Sequence, residues 1–268
     1  MSHSLRAMAA AMLGLGTIAA APVALAPARA TYEVSLVKGL PGGAVSVRGR
    51  TVIEFRTTCD GYETTQRFLA DTADPDNNVS RSDFLVKTWE SRTGGTMRFD
   101  VTNMVDGAVA ERYVGQAKRD DEAAGEVDLT TPNDTNFALP GGTVFPTMQT
   151  AEVLKAAQAG QRSYSGPVFQ GGGPTDLYFS TTVIGKELPA GGAARESVSG
   201  DADLLNGTPA WPVLMSYFPD GKDGETPEYE VAADLYANGV IGSMTLIYAR
   251  FTLKAQLVKV ERLSAPAC

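Results

Sequence analysis

The sequence predicts a mainly β protein built as an antiparallel meander, with one amphipathic helix. Three observations carry that prediction. Stretches of alternating apolar and polar residues recur along the chain, with the period of a half-buried strand. Tight-turn dipeptides separate them: Asp60-Gly61, Gly94-Gly95, Asp106-Gly107 and Asn238-Gly239. Only the segment around Thr147 to Ala159 sets apolar residues at helical spacing between start and stop signals.

Met1 to Ala30 reads as a secretory signal peptide. Arg6 supplies the positive end, Met8 to Ala26 is apolar, and "ARA" at Ala28 to Ala30 is a small-x-small cleavage site. Export to a bacterial periplasm is the expectation, with Thr31 to Cys268 as a single 238-residue domain and a monomer. The only histidine, His3, leaves with the leader, as do Arg6 and Arg29. The leader holds no acid, so a formal charge of −8 becomes −10. That acidity argues against nucleic acid and against anionic membrane surfaces. No later segment has the apolar length of a transmembrane helix, so no stable membrane insertion is expected.

The strands follow in order. "YEVSLVK" (Tyr32 to Lys38) alternates, as does "VSVRGRTVIEFRT" (Val45 to Thr57). In the second, Val45, Val47, Val52 and Phe55 are expected inward, with a bulge at Gly49. Asp60-Gly61 turns the chain into "YETTQRFLAD", and "RSDFLVKTWES", "TMRFDVTN" and "AVAERYVGQAK" complete the first meander. Lys118 to Gly142 is polar and turn-rich, a long loop or a weak edge. In the helix, Pro146 suits the first turn, Thr147 or Thr150 the cap and Gly160 the stop. Met148, Val153, Leu154 and Ala157 form its apolar face. Strands resume with "SYSGPVFQG", "TDLYFSTTVIGKEL", "AWPVLMSYFP", "EYEVAADLYANG" and "VIGSMTLIYARFTLKAQLVKVERL". Pro189 to Pro209 and Asp220 to Pro227 are expected to be mobile loops.

The chain has two cysteines, Cys59 beside the Asp60-Gly61 turn and Cys268 at the end. In an oxidising compartment two cysteines and no third point to one structural disulfide. Two thiolates without histidine make a poor zinc site, and C-x-x-C is absent.

The pieces "YEVSL", "CDGYETTQRF", "FPTMQTAEVLKAAQAG", "GPVFQGG", "TTVIGKE", "WPVLMSYF" and "YEVAADLYANGVIGSMTLIYARFTLKAQLVKVE" run in order across the mature chain. In them it resembles the EipB family of periplasmic cell-envelope integrity proteins. It departs from that pattern at Met148, where a more polar residue is expected, and lacks a histidine after it. The resemblance implies a broad antiparallel sheet that curls into an incomplete barrel, a β-spiral loosely like the periplasmic lipoprotein carriers. It also implies a bond between Cys59 and Cys268 and a role in envelope maintenance. It carries over no catalytic residue.

Without histidine the mature chain has no Ser-His-Asp or Cys-His chemistry. Carboxylates remain: Asp60 with Glu63, and Glu228 with Glu230, which read as solvated strand residues and a turn. "QGGGPTD" (Gln170 to Asp176) lacks the ending of a phosphate loop. No catalytic residue, metal ligand or cofactor is assigned. Most aromatics belong to the core, and a curled sheet can line a ligand groove with Trp211, Tyr217, Tyr229 and Tyr236. The leading expectation is a non-enzymatic factor that binds an envelope protein or cell-wall component. The alternatives are a carrier of lipid or lipoprotein acyl chains and a carboxylate-dependent glycan hydrolase.

Overall fold

The computed structural model describes residues 23–120, 124–188, 198–219 and 226–268. Eight strands come first: β1 (Ala28–Gly39), β2 (Ser46–Thr57), β3 (Gly61–Ala73), β4 (Val79–Ser91), β5 (Thr96–Val105), β6 (Ala108–Lys118), β7 (Gly125–Thr131) and β8 (Thr135–Leu139). The helix α1 (Pro146–Gln158) follows. The rest is β9 (Ser163–Phe169), β10 (Leu177–Ile184), the two-residue β11 (Ser199–Gly200), β12 (Ala210–Pro219), β13 (Tyr229–Tyr236), β14 (Ile241–Tyr248) and β15 (Phe251–Arg262).

Fourteen strands form one antiparallel path, β8-β7-β6-β5-β4-β3-β2-β1-β15-β14-β13-β12-β10-β9. Two meanders therefore meet where β1 pairs with β15, and β11 adds a short parallel pairing to β15. The path curls until its ends nearly meet. Val144, just after β8, forms a bridge to Val168 of β9. Its N–H reaches the Pro167 carbonyl at 2.9 Å, and its own carbonyl accepts the Phe169 N–H at 3.1 Å. Phe169 then packs with Phe99, Leu129, Leu139 and Phe145 from the other meander, which seals the seam with aromatic and aliphatic surface.

Alternation sorts the faces as strand geometry requires. β1 buries Ala28, Ala30, Tyr32 and Val34; β5 buries Met97, Phe99 and Val101. β2 corrects the sequence reading. Its pairing with β3 runs unbroken through Gly49, so no bulge forms there. Val47 and Thr51 are buried, Val52 falls on the opposite face, and Val45 is 56% exposed at the hairpin tip. Gly49 serves close approach instead: a Cβ there would lie 2.3 Å from the Leu69 carbonyl oxygen. The Lys118 to Gly142 stretch resolves into the hairpin β7–β8, with β8 at the sheet edge.

α1 has no capping side chain of its own; Thr147 and Thr150 do not cap it, and Phe145 occupies the N-cap position. Glu90 of β4 replaces the cap. It is 1% exposed, and its Oε1 accepts the Thr147 N–H at 2.9 Å. A carboxylate at a helix N-terminus satisfies an orphan donor and meets the positive end of the helix dipole. Burial still pushes the Glu90 pKa up, against the pull of these N–H groups. Val153, Leu154, Ala156 and Ala157 pack against Ile184, Trp211, Val213 and Leu235, so the helix fills one end of the barrel. Met148 leaves that stripe and lies over the β4–β5 turn, where a Cβ on Gly94 would collide with its side chain.

Cys59 and Cys268 are bonded, with Cα atoms 5.6 Å apart across a separation of 209 residues. The link fastens the exposed segment after β15 to the β2–β3 turn. Of the expected signal peptide, residues 1–22 lie outside the described residues. β1 begins at Ala28, ahead of the expected mature start at Thr31, and Arg29 Nε donates to Glu54 at 2.7 Å. The pairing of Thr31 to Ser35 with β2 would survive trimming at Ala30. Of the expected mobile loops, residues 189–197 and 220–225 also lie outside the described residues. Leu204 and Leu205, in the first of them, are buried in the core.

Candidate functional site

The inner faces of β10, β12, β13 and β14 carry tyrosines at the end of the barrel away from α1. Register places Tyr217 opposite Tyr229, and Tyr229 opposite Tyr248. The rings form a ladder. Tyr217 and Tyr229 stack at 4.6 Å between centroids, Tyr229 and Tyr248 at 5.7 Å, and Phe251 continues the row 4.7 Å from Tyr248. Tyr178 meets both Tyr217 and Tyr229 edge to face. Such pairs stabilise beyond their area, by about 0.5–1.5 kcal/mol each, so the wall is stiff. Tyr178 and Tyr217 are buried, whereas Tyr229, Tyr248 and Phe251 are half-buried.

Polar groups orient the hydroxyls. The Tyr229 hydroxyl sits 2.6 Å from Nε2 and 2.9 Å from Oε1 of Gln170. The Tyr178 hydroxyl faces the Glu228 carboxylate at 3.4 Å. Gln149 of α1 donates to Ser180 at 2.8 Å and brings its carbonyl to 3.5 Å from the Tyr217 hydroxyl. Burial raises the pKa of all four tyrosines, and pushes Tyr217 up to about 12. The ladder is therefore uncharged at neutral pH, with hydroxyls that can still donate.

The "QGGG" stretch has a structural purpose here. Gly171 and Gly172 take φ of +85° and +137°, and a Cβ on Gly172 would lie 2.1 Å from Asp176 Oδ2. The glycines let Asp176 fold back and accept the Gly173 N–H at 2.8 Å. Burial, reinforced by Glu111 and Glu228, raises the Asp176 pKa to about 6. Its folded value lies above its unfolded one, so the unfolded chain binds fewer protons between about pH 4 and pH 6. Stability therefore falls as pH rises through that window. Asp176→Asn is expected to flatten this part of the stability curve and to raise Tm at pH 7 by a few degrees, about 2–4 °C per kcal/mol. Thermal unfolding across pH checks it; an unchanged slope would contradict the assignment.

Of the groove expected from sequence, Tyr217 and Tyr229 come together. Trp211 and Tyr236 do not join them: each is 6% exposed and belongs to the packed core, Trp211 against α1. Tyr178, Tyr248 and Phe251 complete the ladder instead. The expected carboxylates are held separately. Asp60 accepts the Thr58 hydroxyl at 2.8 Å within its own turn, which draws its pKa down. Glu230 accepts the Ser216 hydroxyl at 2.6 Å. Glu63 lines a groove of about 820 Å³ on the outer face of β3 to β7, beside Trp89, whose ring carries the Arg98 guanidinium at 4.1 Å. Among the described residues, no three acidic, cysteine or histidine side chains gather as a metal group, and no helix is long and apolar enough to cross a membrane.

A curled antiparallel sheet of this order, closed at one end by a helix, defines a β-barrel-like protein. The solved structure of the "beta-barrel-like protein of domain of unknown function DUF1849" from Brucella abortus superposes with a TM-score of 0.77 at 29% identity, over 90% of this chain and all of that one. The chain belongs to the EipB-like family, whose model matches residues 19–264. It is 31% identical over 252 residues to "cell envelope integrity protein EipB" of Brucella abortus (strain 2308), spanning 91% of this chain and 86% of that protein.

Proposed function

We propose that this protein is a non-enzymatic periplasmic factor that maintains cell-envelope integrity, and that it holds an envelope protein or cell-wall component against the tyrosine ladder. Family membership supports the envelope role. The ladder carries the binding reading: half-buried rings with oriented hydroxyls offer apolar contact and hydrogen bonds together, which suits an amphipathic polymer.

The contact between ladder and helix argues against the acyl-chain reading, since Gln149 of α1 reaches the Tyr217 hydroxyl at 3.5 Å and Ser180 at 2.8 Å. Glu90, Gln149 and Ser180 are buried polar residues at that contact or at the helix start, and Thr88 and Thr182 are buried on the strands. Glu90 Oε2 and Thr182 Oγ1 have no partner among the described residues. Apolar surface brought against buried polar groups offers them no hydrogen bond, at a cost of roughly 1–3 kcal/mol each.

Loss of the gene is expected to sensitise cells to detergents and cell-wall antibiotics. In that background Tyr229→Ala and Tyr248→Ala should fail to restore resistance, while single neutral replacements of Asp60, Glu63, Glu228 and Glu230 should restore it. A carboxylate variant that is exported, folded and disulfide-bonded yet fails to complement would move the hydrolase reading to first place.

A further inference from the structure

The chain is acidic overall, but its acids are unevenly placed. None occurs from Ser35 to Ile53 or from Leu235 to Val260. These segments supply the upper halves of β1 and β2 and all of β14, and β15 contributes up to Val260. They are neighbours in the sheet, in the order β2-β1-β15-β14. Register sets Arg48, Ser35 and Lys254 side by side across β2, β1 and β15. Lys38 and Arg250 are exposed nearer the tips, and the two hairpins are tied together by the Leu40 N–H on the Arg250 carbonyl, 3.0 Å. Glu33 is the acid among these cations on the four strands, and it pairs with Arg50. Beyond β2 the β3–β4 turn carries Asp74 and Asp76 beside the tip, where the Val45 N–H bonds the Ala73 carbonyl at 2.9 Å, and Asp74 is held within its own turn by Asn78. Asp71, opposite Arg48 on β3, is held by Arg81 at 2.7 Å.

Above the cations, the β1–β2 tip exposes aliphatic side chains: Val37 is 61% exposed, Leu40 45% and Val45 56%. A soluble hairpin gains nothing from three such residues in water. They stand at the end of the barrel that carries the ladder, since Gly39 of β1 pairs with Phe251.

We propose that this tip and the β14–β15 turn form a docking surface for an anionic phospholipid bilayer. Aliphatic side chains at a hairpin tip enter the headgroup boundary, and a collar of lysine and arginine below them meets the lipid phosphates. Charge selects this occupant over a second copy, because two cationic collars repel. The long-range repulsion of the acidic chain is screened beyond about 8 Å at physiological salt, so the local patch decides the contact. Docking this way turns the ladder toward the membrane. The assignment stands whether or not the ladder binds a ligand.

The test is co-sedimentation of the mature, disulfide-bonded protein with phosphatidylethanolamine–phosphatidylglycerol vesicles, against phosphatidylcholine vesicles. Binding is expected only to the anionic vesicles, weakening as salt is raised. The pair Arg48→Glu and Lys254→Glu should weaken it about tenfold or more, and the triple Val37→Ser, Leu40→Ser, Val45→Ser should abolish it. No binding to anionic vesicles, binding unaffected by salt, or binding that both variants retain overturns the proposal. So does concentration-dependent dimerisation that the serine triple removes, which would assign the tip to a second copy. The salt titration needs no variant, and complementation through the ladder is read separately, so failure of one account leaves the other measurable.

Discussion

Cys59→Ser is expected to lower Tm by about 10 °C while leaving a folded β protein. The bond closes a loop spanning a separation of 209 residues, for which the chain-entropy model gives about 5 kcal/mol, with about 2–4 kcal/mol the usual yield. A chain of this size loses about 2–4 °C per kcal/mol. The fold should persist because the β1–β15 pairing and the cores of both meanders are independent of the link. What is lost is the anchor of Leu263 to Cys268, which follow the last strand and have no regular structure. Thermal unfolding by circular dichroism with and without reductant checks this. A variant without β signal at 25 °C would show that the bridge is required for folding itself.

Leu154→Ala should be at least as damaging, by about 2–5 kcal/mol, because Leu154 is fully buried and its removal leaves a cavity. The cost falls on one contact: α1 against Ile184, Trp211, Val213 and Leu235. Loosening it should also release the Glu90–Thr147 bond and the Gln149 contacts below the ladder. Hydrogen exchange in the variant should therefore rise in α1 more than in β1 or β15. Equal loss of protection across the sheet would mean that the helix is no separate plug.

Much of the fold was legible because its determinants are local. Asp106 and Gly107 both take positive φ in the β5–β6 turn, as their residue types suggest. Asn238 works differently: its side chain donates to the Leu204 carbonyl and accepts the Val240 N–H, while Gly239 alone takes positive φ. The helix and its stop at Gly160 were also local. The site was less legible because it depends on register and on distant partners. Tyr178 joins the ladder through the pairing of β10 with β12, across an intervening segment, and Phe251 from just past the β14–β15 turn, positions that residue type alone does not mark. Trp211 and Tyr236 look like their neighbours in sequence, and only the position of α1 and the core shows that they are covered. Glu90 alternates like any strand residue, and its burial makes sense only beside a helix whose Thr147 lies 57 residues later. Whole-chain charge hid the acid-free segments for the same reason: an average carries no address.

The central claim is that the ladder end of the barrel holds an envelope component. Site-specific photo-crosslinking in intact cells tests it most directly, with the photoreactive residue at position 248 on the ladder, and at position 183 on the outer face, where Val183 is 55% exposed. The account predicts a discrete adduct from position 248, none from position 183, and loss of the adduct when Tyr229→Ala also abolishes complementation. The same adducts from both positions, or capture from position 183 alone, would contradict it.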